Sequence, residues 1–168
     1  MSQISLEAIR SLREQTSAGV MDCKKALEEA GGDVDKAITL LQERGLRLAS
    51  KKSDRSTQEG VVESYIHMGG RVGAMVEVNC ETDFVARTPE FRELAHDLAM
   101  QVAAMTPKFV DVADIPLGDE VKADEACLLA QPFIKDPSRS IQDMINEVVA
   151  KLGENILVKR FERFGLGE

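Results

Sequence analysis

Three cysteines, two histidines and a scatter of carboxylates are the side chains of this 168-residue sequence from which chemistry could be built. Cys23, Cys80 and Cys127 are odd in number and far apart, which argues against a disulfide framework, and their spacings fit no zinc motif. Buried, reduced thiols are the plain expectation. The sharper alternative is a Cys80 nucleophile activated by His67 or His96. Both histidines read instead as solvated: His67 on a strand face shared with Glu63 and Tyr65, opposite Val62 and Ile66, and His96 on a helix beside Asp97. Asp111, Asp114, Asp119, Glu120, Asp124 and Glu125 lack the order and the glycine of a calcium loop, so they read as a solvated acidic loop. Gly69-Gly70 lies between two strand-like runs with no helix after it, and no G-x-x-x-x-G-K-[ST] occurs, so no bound nucleotide is expected. No set of acids, bases and nucleophiles converges as an active site requires. The sequence therefore predicts a protein that is not an enzyme and carries no cofactor or metal of its own.

One stretch asks for a different kind of chemistry. In NCETDFVART, residues 79–88, a single Phe84 stands among Glu81, Thr82 and Asp83 just beyond an alternating apolar run. Thr82 can cap a helical turn, and Asp83 in that turn favours its dipole. Phe84 and Val85 then lie about 100° apart around the axis, so one can enter the core while the other points away. Local pattern alone favours Phe84 inward. An outward Phe84 beside a carboxylate would be an apolar anchor of the kind that carries binding energy at interfaces.

These residues must be positioned by elements that the patterning supplies. Residues 5–45 read as three short amphipathic helices. Ser5 caps the first, where Leu6, Ile9 and Leu12 recur at helical spacing. The second places Val20, Cys23, Ala26, Leu27 and Ala30 on one face and stops at Gly31-Gly32. Asp33 caps the third, whose stripe is Val34, Ala37, Ile38 and Leu41, and Gly45 is expected to end it. SKKSDRSTQEG, residues 50–60, is polar without periodicity and reads as a linker. Beyond it, two runs flanking Gly69-Gly70 predict a hairpin, with Val72, Ala74, Val76, Val78 and Cys80 on one face and Arg71, Glu77 and Asn79 on the other.

Thr88-Pro89 opens a helix with Phe91, Leu94, Ala95, Leu98, Val102 and Met105 as its stripe, closed by Thr106-Pro107. Residues 109–120 read mostly as loop, with a short strand over 109–112, followed by a helix around 121–130. QPFIKDPS reads as a second loop. Ser140 and Asp143 form a capping box for a helix carrying Ile141, Met144, Ile145, Val148 and Leu152, and NILVKRFERF follows as a strand. The fold class is α+β: a helical module over 1–50, a linker over 51–59, and over 60–168 an antiparallel sheet with helices on one face.

Composition fits this. Hydrophobic residues make up 43% and charged residues 30%, the balance of a packed fold. The net charge of −8 is uneven, because residues 1–57 hold 10 bases and 9 acids while the remainder holds 11 bases and 20 acids. So acidic a chain is a poor ligand for nucleic acid and suits protein partners. No apolar run is long enough to span a membrane, and the first residues lack a signal pattern, so a cytoplasmic location is expected.

NCETDFVAR (79–87) resembles the signature of the bacterial elongation factor Ts family, the guanine nucleotide exchange factors of elongation factor Tu. LREQTSAGVMDCKKALEEAGGDVDKA (12–37), EGVVESYIHMGGRVGAMVEVNCETDFVAR (59–87) and GENILVKRF (153–161) resemble that family's N-terminal motif, core entry and closing strand, in order over nearly the whole chain. Ser17 stands where the family usually has Gly, and Val20 where it usually has Met. The resemblance implies a ubiquitin-associated-like three-helix module before the α+β core. It implies that Thr82, Asp83, Phe84 and Val85 enter the GTPase near its Mg²⁺ and displace the metal so that GDP leaves and GTP reloads. It also implies that Arg13, Val20, Met21 and Lys24 contact the partner's nucleotide-binding domain. It turns Phe84 outward, against the local pattern. Longer family members carry a second core half, which this sequence lacks; a homodimer would supply two. The competing class is a generic protein-binding module.

Overall fold

A computed structural model describes residues 4–16 and 18–168. Ser17, the first departure from the family pattern, lies outside the described residues. The chain begins with α1 (Leu6–Thr16), α2 (Val20–Glu29) and α3 (Val34–Lys52). Their ends follow from side-chain capping: Ser5 Oγ accepts from the Ala8 amide at 3.1 Å, and the Asp33 carboxylate accepts from the Lys36 amide at 3.1 Å. Ile9, Leu12, Cys23, Ala26, Leu27 and Ala37 form the buried centre of this bundle. Val20, expected on the buried face of α2, is exposed instead.

Gly45 does not end the third helix. It is buried inside α3, and a Cβ placed there would sit 3.8 Å from the Ala150 Cβ and 3.9 Å from the Asn146 carbonyl oxygen. At this position α3 packs against α7 (Ile141–Leu152), and Lys52 at the end of α3 donates its ammonium to the Gly153 carbonyl. The stretch expected to be a free linker is correspondingly short. Its first residues are helix, its last belong to a strand, and between them the Asn155 side-chain amide donates to the carbonyls of Ser53 at 3.2 Å and Arg55 at 3.0 Å.

β1 (Glu59–Ile66) and β2 (Val72–Cys80) form the expected hairpin, and β5 (Ile156–Gly165) joins β2 to give an antiparallel sheet of order β1-β2-β5. The register pairs Val61 with Val78 and Val76 with Phe161, with an irregularity after Glu77. Gly60 faces β2 so closely that a Cβ would fall 2.1 Å from the Val78 carbonyl oxygen, which no other residue could accept. Ala74, Val76, Val78 and Cys80 point into the core, where they meet Phe91, Leu94, Ala95, Leu98 and Val102 of α5 (Pro89–Met105). Among the described residues the helices cover this face only. On the outer face Val62, Ile66, Met75 and Phe164 are all exposed. Val62 and Ile66 thus point outward, and His67 lies one residue beyond the end of β1.

Three local expectations for residues 109–140 are corrected. Residues 109–112 form no strand; Phe109 makes a single parallel bridge to Cys127, and a 3-10 turn follows at Val112–Asp114. That bridge draws Cys127 into an extended conformation, so the helix expected over 121–130 shortens to α6 (Ala123–Ala126) and a 3-10 turn, Leu128–Ala130. QPFIKDPS is a small hairpin, β3 (Pro132–Phe133) and β4 (Asp136–Ser140). It is fastened by the buried Gln101, whose amide donates to Gln131 Oε1 and the Pro132 carbonyl, and whose Oε1 accepts from the Ile134 amide. The capping box of α7 forms as expected, with Ser140 Oγ accepting from the Asp143 amide at 3.1 Å.

Candidate partner-docking site

The turn that follows β2 is α4 (Asp83–Ala86), capped by Thr82, whose hydroxyl oxygen accepts from the Val85 amide at 3.4 Å. Four helical residues cannot bury both large apolar side chains on one face. Val85 and Ala86 enter the core at 9% and 5% exposure, and Phe84 is left outside at 78%. The inward Phe84 favoured by local pattern is therefore corrected, because Val85 occupies the core-facing position. Asp83 pairs with Arg87 one turn later, Oδ2 to Nη2 at 2.9 Å, on the solvent side. The guanidinium of Arg92 closes the far end of the turn by donating to the Ala86 carbonyl at 3.1 Å.

The stalk under this turn is tied across the molecule. Glu154, in the turn between α7 and β5, accepts the Glu81 and Thr82 amides on Oε2 at 3.1 and 3.0 Å and the Thr82 hydroxyl on Oε1 at 2.6 Å. In return, Glu81 Oε1 accepts the Asn155 amide at 2.7 Å and faces Arg55 Nη1 at 3.5 Å. Glu154, Asn155 and Arg87 lie within the stretches that carry the family resemblance, but their residue types and spacing alone do not assign them to a site. The only local sign is a polar pair, Glu154-Asn155, set between a helix-ending glycine and an apolar strand.

The thiol–imidazole alternative finds no support in the geometry. Cys80 Sγ donates to the Thr82 carbonyl at 3.2 Å, and burial first, then the negative charge of Glu154, pushes its pKa up to about 11. The histidines are engaged elsewhere: His67 Nδ1 lies 3.1 Å from the Tyr65 hydroxyl, and His96 packs edge-on against the Tyr65 ring beside Glu63. Burial likewise raises Cys23 and Cys127. Among the described residues no cluster of three or more His, Cys, Asp or Glu has the arrangement of a metal site.

The second set of expected contacts lies on the helical module. Val20, Met21 and Lys24 occupy neighbouring positions along α2 and are exposed, as is Arg13 on α1. Lys24 faces Glu28 at 3.8 Å across solvent, an interaction too exposed to fix either side chain. The molecule thus presents an apolar-and-basic patch on the bundle and, on the turn after β2, an exposed aromatic.

Comparison with known proteins places the chain as a whole beside one family. A family model described as elongation factor TS matches residues 7–121. The chain is 46% identical to elongation factor Ts of Caldanaerobacter subterraneus subsp. tengcongensis, with 98% of each protein covered. It is 46% identical to that of Desulforamulus reducens, covering 100% of this chain and 91% of the relative. It is also 44% identical to that of Thermotoga neapolitana, covering 99% and 98%. No helix among the described residues is long and apolar enough to cross a membrane.

Proposed function

The chain belongs to the elongation factor Ts family, and on that premise we propose that this translation elongation factor promotes release of GDP from elongation factor Tu in the cytoplasm. Thr82, Asp83, Phe84 and Val85 form the element that disturbs the partner's Mg²⁺ site. Arg13, Val20, Met21 and Lys24 contact the nucleotide-binding domain. Residues 1–50 act as the gripping module and 60–168 as the body that carries the turn. No bond is made or broken in this reading, so the protein is a binding catalyst of exchange and not an enzyme with reacting groups. It needs neither a cofactor nor nucleic acid.

The observation that carries the reading is the exposure of Phe84, at 78%, on a turn that is otherwise anchored. A lone aromatic held out on a rigid turn has little to do in its own fold and suits insertion into another protein. GDP is held on its GTPase by backbone donors, a lysine and Mg²⁺. Mg²⁺ tolerates only near-octahedral geometry, so a small displacement of its ligands weakens it. Asp83, now paired with Arg87, can exchange that partner for groups beside the metal. A factor that binds the nucleotide-free GTPase better than the loaded one must weaken GDP binding by the same factor that GDP weakens its own.

The test is GDP release from purified elongation factor Tu at several Mg²⁺ concentrations. Phe84→Ala should slow stimulated release by roughly thirtyfold, the scale of a binding hot spot. Thermal stability should be unchanged, because the ring is outside the core. If Phe84 supported the fold, the same change would cost about 3–5 kcal/mol. Normal exchange by the Phe84→Ala protein sinks the assignment.

A second element of the reading is a homodimer. The outer sheet face displays Val62, Ile66, Met75 and Phe164 with no helix among the described residues over them, and a second copy offers an equally apolar face.

A further inference from the structure

Phe84 stands on a stalk of two residues, Glu81 and Thr82, and three hydrogen-bond donors of that stalk converge on one carboxylate. Glu154 takes both backbone amides on Oε2 and the Thr82 hydroxyl on Oε1. The hydroxyl has one proton and gives it to Glu154, which turns its lone pairs toward the open N-terminus of α4, where the Val85 amide donates. Glu154 therefore sets the direction in which Thr82 caps, and the cap sets the rotation of the turn that divides Val85 from Phe84. Hydrogen bonds to an ionised acceptor are stronger than neutral ones.

The arrangement is reciprocal. Glu81 reaches back to the Asn155 amide at 2.7 Å, so the two turns exchange carboxylates. Asn155, 6% exposed, then passes the connection on: its side-chain amide holds the carbonyls of Ser53 and Arg55, in the segment that leaves α3. One continuous chain of hydrogen bonds runs from the end of the helical module, through Asn155 and the paired carboxylates, to the base of the exposed aromatic.

We propose that Glu154 is a positioning residue for Phe84, and that Glu81 and Asn155 fix the turn in register with the helical module so that both docking features meet a partner as one rigid unit. The inference rests on the reading of Phe84 as the group that enters the partner. Its geometric core can be tested with no partner present.

The sequence has no tryptophan, so Phe84→Trp places a single fluorescent reporter on the turn. Time-resolved anisotropy of that protein, with and without Glu154→Gln, reads how firmly the turn is held. The expected result is added nanosecond depolarisation in the Glu154→Gln protein with unchanged helix content. Identical decays would overturn the positioning role. The unmodified chain supplies a measurement that does not depend on a variant folding: the Glu81 and Thr82 amides should exchange with solvent as slowly as those of β2, and fast exchange at both overturns the clamp. In partner-stimulated GDP release at saturating factor, Glu154→Gln should slow the wild-type background roughly tenfold. Added to Phe84→Ala, it should have no further effect. An equal further loss there means that Glu154 acts otherwise than through Phe84. If Phe84→Ala itself exchanges normally, the exchange reading fails, while the anisotropy and amide results still decide the clamp.

Discussion

Phe84 and Val85 show how little of a side chain's fate is set by its own hydrophobicity. Both are apolar and adjacent, but the turn directs Val85 and Ala86 into the core and leaves Phe84 outside. The local pattern favoured Phe84 inward but left either residue able to face the core, whereas the outcome rests on where Thr82 starts the turn. That start is fixed by Glu154, and its donors lie 72 and 73 residues away in sequence, so no local window contains the cause. Cys80, two residues before Thr82, is legible by contrast, since a cysteine closing an alternating apolar face reads as a buried thiol. With its pKa pushed up to about 11 by burial and by Glu154, only roughly a thousandth of it is thiolate at pH 8, against about a quarter for a free cysteine. Alkylation of the native protein at pH 8 should therefore leave Cys80 unmodified on the timescale that consumes a free thiol, and denaturant should make all three cysteines react. Rapid native labelling of Cys80 would contradict its placement.

At the scale of elements, what could be read was what repeats or caps. The stripe of α5, the alternation of β2, the Ser140–Asp143 box and the Asp33 cap all carry their reason within a few residues. What could not be read was set by contacts from elsewhere: the β3–β4 hairpin by the buried amide of Gln101, the early end of α6 by the Phe109–Cys127 bridge, and the passage of α3 through Gly45 by the approach of α7. Gly45 makes the last point testable. Its backbone is not in the left-handed region, and a methyl group would make ordinary van der Waals contact with Ala150. Gly45→Ala should therefore stabilise the protein by about 0.5–1 kcal/mol through helix propensity, read from denaturant unfolding. Gly45→Leu should cost about 1–3 kcal/mol by forcing α3 and α7 apart. A destabilising alanine would mean that the two helices do not pack as described. The Asp33 cap has a pH signature. Hydrogen bonding from Lys36 holds its carboxyl below the ordinary 3.8, so its contribution is fully present above that pH and is lost as pH falls through the lower folded value. Asp33→Asn should remove that acid-limb dependence.

For the whole molecule the decisive facts are that the described residues cover its sheet on one side only and that α3 does not stop where the bundle does. The uncovered side gives a direct test of self-association: Met75→Asp, at the centre of the outer face, should shift the sedimenting species from dimer to monomer at micromolar concentration without altering the thermal transition of the dilute protein. A wild-type chain that sediments as a monomer at every concentration would exclude the dimer. The uninterrupted α3 has a mechanical consequence. Nineteen residues of helix form a bar of roughly 28 Å, bearing the bundle at one end and lodged against α7 at the other. A tool that must pry with one point while it grips with another is only as effective as the stiffness between them. A compliant joint would let the handle swing while the tip stayed still. By carrying the helix through Gly45 and lodging its end beside the turn that bears Glu154, the fold joins bundle and turn without a hinge at that point, and in the proposed exchange role this joint would carry torque from the bundle toward the exposed ring.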